Sequence, residues 1–215
     1  ITVGQWWSAS EVALEALSQL VLANLSMAIL IRQQYLINLL FWLATRAPTC
    51  WPLAIRRSLA KVYHFGGLHS GGAMAAIVWF IALLGSMIWQ RTDGAGGVSL
   101  TLLAISAALL GLLLLMAIMA LPGIRSRFHN AFERTHRFAG WAALLLFWGM
   151  TLVFARDRHP GADLAQVLLT SVSFWMLPLL TLSIALPWLR LRKVPVTLVK
   201  PSSHAVIARF NHHTP

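Results

Sequence analysis

Five apolar runs in this chain are each about as long as the hydrocarbon core of a bilayer is thick, which takes roughly 20 helical residues. They fall at 11–31, 66–90, 98–121, 131–155 and 164–189. The stretch 33–63 reads differently. It is apolar in places (Leu39, Leu40, Phe41, Trp42) but broken by Pro48 and Pro52, with Arg56, Arg57 and Lys61 close together. That pattern predicts a re-entrant or surface-lying pair of amphipathic segments rather than another span. Pro178 lies inside the fifth run and is expected to kink it. Beyond Arg190, the run VPVTLVKPSSHAVIARF alternates apolar and polar residues about Pro-Ser-Ser, as a β-hairpin does.

Composition agrees with the pattern. The chain is 58% hydrophobic and 11% charged over 215 residues, with a mean hydropathy of +0.71. A soluble domain of this size needs more polar surface. A single cysteine, Cys50, excludes an internal disulfide framework and a zinc-type cysteine cluster. The first residue is Ile1, and no basic stretch with a cleavage site precedes the first apolar run. No signal peptide is therefore expected, and residues upstream of Ile1 are expected to be absent from this chain. The expected organisation is an all-α membrane protein of about five transmembrane helices with a short cytoplasmic β-like tail. Its parts are 1–32, a first span; 33–63, interfacial; 64–192, a four-helix core; and 193–215, the start of a further module.

The net charge of +11 would suit a nucleic-acid binder, yet its placement points to membrane orientation. With the N-terminus outside, the inner segments carry Arg32, Arg46, Arg56, Arg57 and Lys61, then Arg125, Arg127, Arg134 and Arg137. The tail adds Arg190, Arg192, Lys193, Lys200 and Arg209. Only Arg91, Arg156 and Arg158 of the 17 Lys and Arg are left outside. This follows the positive-inside rule, puts the C-terminus in the cytoplasm, and calls for a lipid bilayer and no nucleic acid. Trp6, Trp7, Trp51, Trp89 and Trp188 fall near span ends, as an aromatic belt does. Met116 and Met119 on the third span read as core packing.

Four of the eight histidines lie where topology alone does not require them. His64 and His69 open the second span in KVYHFGGLHSGG, and His129 and His136 open the fourth in RFHNAFERTHRFAGW. Ionisable residues inside membrane helices are costly and mark function. His159 (outer loop) and His204, His212 and His213 (tail) read as solvated. At about 100° per residue, His64 and His69 point roughly 140° apart and cannot share one cavity, whereas His129 and His136 lie about 10 Å apart on nearly one face. His69 and His136 sit at matching depth. Two neutral imidazoles at one level on facing helices are what a six-coordinate b-type haem iron needs, so His69 and His136 are the preferred axial ligands, with His64 and His129 as the other candidates. Gly66, Gly67, Gly71, Gly72 and Gly140 remove side chains where a flat macrocycle approaches, although small residues also let membrane helices pack. Arg56, Arg57, Arg125, Arg127 and Arg137 are near enough to neutralise propionates. Glu133 is expected to pair with Arg137 at i+4, or else to orient a ligand histidine through its free N–H.

These motifs resemble the ferric reductase and NADPH oxidase superfamily of membrane flavocytochromes. RFHNAFERTHRFAGW with KVYHFGGLHSGG is most similar to a branch of single-haem membrane oxidoreductases that occur alone or fused behind nonribosomal-peptide-synthetase-like adenylation enzymes. The resemblance runs from about Asn24 to the end of the chain. It implies an NAD(P)H-dependent transmembrane oxidoreductase, with FAD and NAD(P)H bound outside this segment by a cytoplasmic flavin/nicotinamide module. An adenylation enzyme, fused or associated, is the implied partner. The alternating tail is similar to the opening strands of a ferredoxin-reductase-like flavin domain. Two-haem members of the superfamily carry a second histidine pair in the outer leaflet. Here the outer halves of the second and fourth spans hold none. The electron's destination is thus open: an acceptor entering from outside or from lipid, or a reaction finished on the cytoplasmic side. A quinone-linked membrane cytochrome b shares the histidine logic without needing the tail. A non-redox metal-binding or transport protein is expected to show paired broken helices and intramembrane carboxylates, and the sequence reads as having neither.

Overall fold

The computed structural model describes residues 10–94 and 97–210, apart from the side chains of residues 10–13 and 63. Trp6, Trp7, His212 and His213 lie outside the described residues. The chain forms two compact units, residues 1–184 and 185–215.

The first unit is helical. α1 (Ser10–Leu30) is followed after a sharp turn by α2 (Gln34–Thr45), then α3 (Leu53–Ala60) and a 3-10 turn (Lys61–His64) that leads into α4 (Phe65–Thr92). α5 (Leu100–Ala120), the short α6 (Pro122–Arg127), α7 (His129–Arg158), α8 (Leu164–Thr170) and α9 (Val172–Leu189) complete it. α4, α5, α7 and α9 are each long and apolar enough to cross a membrane. α1 and α2 together make a fifth such element, bent by 68° between them. Gln33 caps α2 by accepting from the Tyr35 and Leu36 amides, which fixes the bend. The segment 33–63 thus holds α2, α3 and the 3-10 turn. Trp42 on α2 carries the Arg46 guanidinium 5.0 Å above its ring.

The fifth run is not one helix. It breaks at Ser171, whose ψ of 123° is extended, and the Trp175 indole donates 2.9 Å to the Leu169 carbonyl that the break frees. Asp163 caps the α8 amides. Pro178 lies within α9, seven residues past the break, and does not end that helix.

α1 packs along α4, and α5 along α7, with α4 and α5 also in contact. The core lies where α1, α4, α5 and α7 meet, and Leu14, Phe80, Leu83, Met87, Leu102, Leu109 and Ser106 are its most deeply buried side chains. Gly72 permits the α1–α4 approach. A Cβ there would stand 2.9 Å from Met27 Cε and 3.0 Å from the Asn24 carbonyl oxygen. Indole Nε1 of Trp148 on α7 donates to Thr181 Oγ1 on α9 at 3.1 Å.

The second unit holds the expected hairpin, β1 (Val196–Ser202) against β2 (Ala205–Phe210), antiparallel, with Val196 opposite Phe210 and Leu198 opposite Ala208. The turn is Ser203-His204, so Pro201 belongs to β1. Every residue of both strands is exposed. A lone two-stranded sheet is marginal in water.

Candidate functional site: a histidine pair between two helices

α4 and α7 both begin at the basic end of the bundle, and each carries one histidine inward from that end. The His69 and His136 rings face each other with centroids 6.2 Å apart and planes at 62°. Both are half-buried. His69 Nδ1 lies 2.8 Å from the carbonyl oxygen of Ala28 on α1. A carbonyl only accepts, so Nδ1 carries the hydrogen and the neutral ring keeps its lone pair on Nε2, the ligand form. A ligand histidine is commonly fixed in this way by a backbone carbonyl. His136 Nδ1 is buried and has no hydrogen-bond partner, an arrangement that costs about 1–3 kcal/mol when nothing completes it.

Two imidazoles that each gave a ring nitrogen to one metal ion at about 2.0 Å, with roughly 1.1 Å more from nitrogen to ring centre, would have centroids about 6.2 Å apart. The observed separation fits. Among the described residues no three His, Cys, Asp or Glu side chains gather as a metal site, and two imidazoles are too few for a protein-bound zinc ion. They are the whole protein contribution to a six-coordinate haem.

The other candidates lie around this pair rather than in it. His64 closes the 3-10 turn and is exposed. His129 is exposed, with Nε2 3.3 Å from the Glu133 carboxylate, so Glu133 does contact a histidine. Phe132 links the two histidines of α7, 6.4 Å from the His129 ring and 5.4 Å from the His136 ring. The Arg125 guanidinium stands 6.0 Å above Phe132. Arg57 is exposed, and Arg56 buries its Nε without a partner.

The glycines separate into two groups. Gly72 is the α1 contact. Gly66, Gly67, Gly71 and Gly140 have open space where a Cβ would stand. Gly67 and Gly71, two residues either side of His69, point about 160° around the helix from it. They are exposed on the stripe shared with Met74 and Val78, so the structure does not bring them to the imidazole pair.

Three features of the site were not read from the sequence. Phe132 was legible in principle, being four residues before His136 and hence on its face. Arg32, in the bend between α1 and α2, reads in sequence only as a topology charge. The Ala28 carbonyl has no sequence signal, because any residue would supply it.

No family model matches the chain, and no solved structure matches it. Two fungal proteins do. Adenylate-forming reductase 03009 and adenylate-forming reductase 06235, both from Coprinopsis cinerea (strain Okayama-7 / 130 / ATCC MYA-4618 / FGSC 9003), are 40% and 39% identical to it over 197 residues, 91% of this chain. That segment is 19% of each relative. The chain is therefore similar to about one fifth of these adenylate-forming reductases, along nearly its own whole length.

Proposed function

We propose that this chain is the membrane b-type cytochrome domain of an oxidoreductase of the ferric reductase-like kind. In this reading electrons pass from a cytoplasmic flavin/NAD(P)H module to one haem held by His69 and His136. The observation that carries the reading is the 6.2 Å imidazole pair, with one ring's tautomer set by Ala28 and the other's Nδ1 left without a partner. A haem bound there supplies a one-electron centre, kept low-spin by two strong-field nitrogens.

The chain's own residues do the rest. α1 holds the His69 ring in the tautomer that presents Nε2. Phe132 packs on His136 and excludes water from it. Arg32, Arg56 and Arg125 place positive charge at the end of the bundle where two carboxylates of a macrocycle would need it. The hairpin following α9 offers an uncovered apolar face of Val196, Leu198, Val206 and Phe210, which suits the opening strands of a larger flavin module. The names of the relatives support a reductase context, and they support association with an adenylation enzyme, fused or separate. Helices α4, α5, α7 and α9 support placement in the cytoplasmic membrane, with the basic end inward.

The test is the reduced-minus-oxidised absorption spectrum of purified protein. A low-spin b-type spectrum is expected. His69→Ala and His136→Ala should each abolish it, and His64→Ala, His129→Ala and His159→Ala should each keep it. A fully folded, colourless protein refutes the reading. Loss of the spectrum in His64→Ala or His129→Ala alone refutes the choice of ligands.

A further inference from the structure

The histidine pair occupies one end of the bundle, so what fills the remainder decides where an electron can leave. Along α4 the buried stripe continues past His69 through Ala76, Phe80, Leu83 and Met87. Phe80, Leu83 and Met87 are at most 1% exposed. At 1.5 Å per residue, Leu83 lies about 21 Å beyond His69 and Met87 about 27 Å beyond it, while Met150 on α7 lies about 21 Å beyond His136.

At that far level three helices close on one another. Ser106 Oγ on α5 lies 3.7 Å from Met87 Sδ and 3.8 Å from Met150 Sδ, in reach of either sulfur for its one hydroxyl hydrogen. Nearer the middle, Phe80 meets Phe147 edge to face at 6.2 Å. A second cofactor would have to displace this packed layer. The far end is also tied shut, by Arg91 donating to the Val98 carbonyl at 2.9 Å and the Ser99 amide donating to Asp157 at 2.8 Å. A hollow of about 540 Å³ opens there beside Ser99, Arg156 and Asp157. Asp157, however, is 21 residues past His136, about 31 Å along the helix. The basic end differs. There the exposed His129 lies two ring-to-ring steps, 6.4 and 5.4 Å, from His136 through Phe132.

Resting on the haem reading above, we infer that electrons arrive and depart at the same, basic end of the bundle, and that the chain does not carry them across the membrane. The step moves one electron. The flavin-type donor is oxidised by one electron, a one-electron acceptor such as a ferric chelate is reduced by one, and no bond forms or breaks. Tunnelling falls exponentially with distance. The short path at the basic end therefore outcompetes the long one past Phe80, Leu83 and Met87.

The experiment uses the full-length protein in sealed liposomes. Cys50, exposed between α2 and α3 at the basic end, reports orientation through an impermeant maleimide. Vesicles with Cys50 outward are reduced with dithionite, which is then removed. Ferricyanide is either added outside or pre-trapped inside, with haem absorbance followed in both cases. Outside ferricyanide should reoxidise the haem promptly, and trapped ferricyanide should be slower by at least about two orders of magnitude over the ~30 Å helical path. Equal rates from the two sides overturn the inference and leave the haem reading standing. Absence of a haem spectrum before any oxidant is added overturns both.

Discussion

Gly72→Ala, compared with Gly71→Ala, isolates the α1–α4 contact that orients His69. The two substitutions are neighbours in one helix. The gain of replacing glycine by alanine in a helix, about 1 kcal/mol, is common to both and cancels in the difference. What does not cancel is space. At Gly71 a Cβ meets nothing within 4 Å. At Gly72 it meets Met27 Cε at 2.9 Å and the Asn24 carbonyl oxygen at 3.0 Å, with Ala28 Cβ at 3.4 Å. Met27 is a flexible side-chain end and can swing away. The Asn24 carbonyl belongs to the α1 backbone and yields only if the helix moves. Forcing a methyl into such a contact costs about 1–3 kcal/mol, so Gly72→Ala should be less stable than Gly71→Ala by that amount, roughly 5- to 150-fold in the unfolding equilibrium. Steric trapping or detergent titration followed by tryptophan fluorescence measures the difference. Because His69 Nδ1 bonds to Ala28, one turn from the clash, the displaced α1 should also loosen the His69 ring. Equal stability of the two variants would refute the close approach and, with it, the account of how α1 holds the ligand tautomer.

Trp148→Phe keeps the ring against Phe174 but removes the indole bond to Thr181. A loss of about 0.6–1.7 kcal/mol is expected, the range for single polar contacts between membrane helices, read by the same unfolding assay. Asp157→Ala leaves the Ser99 amide at the start of α5 without its acceptor. It should cost about 1 kcal/mol and speed amide exchange around Ser99, with the haem spectrum unchanged.

Much of this protein was legible in its residues. The long apolar run 98–121 became α5 almost residue for residue, because helix satisfies a backbone's hydrogen bonds locally, as an apolar surrounding would require. The level of the histidines was also legible, since residue counts from a span's start convert directly to depth. The alternation in 196–210 became the hairpin, though its turn moved to Ser203-His204.

The rest was decided in three dimensions. The fifth run broke at Ser171 and not at Pro178, where the Trp175 indole supplies a partner for the freed Leu169 carbonyl only once the chain has folded there. Sequence could not tell which glycines face a neighbouring helix. Gly71 and Gly72 are adjacent and identical, and only the position of α1 makes one an interface and the other open. Nor could it find the Ala28 carbonyl, a group every residue carries, 41 positions from the His69 ring it holds. Composition and period determine which segments form long apolar helices and how far along each helix a residue lies. Which faces meet depends on the fit between helices distant in the chain, and that fit sets the distance between His69 and His136.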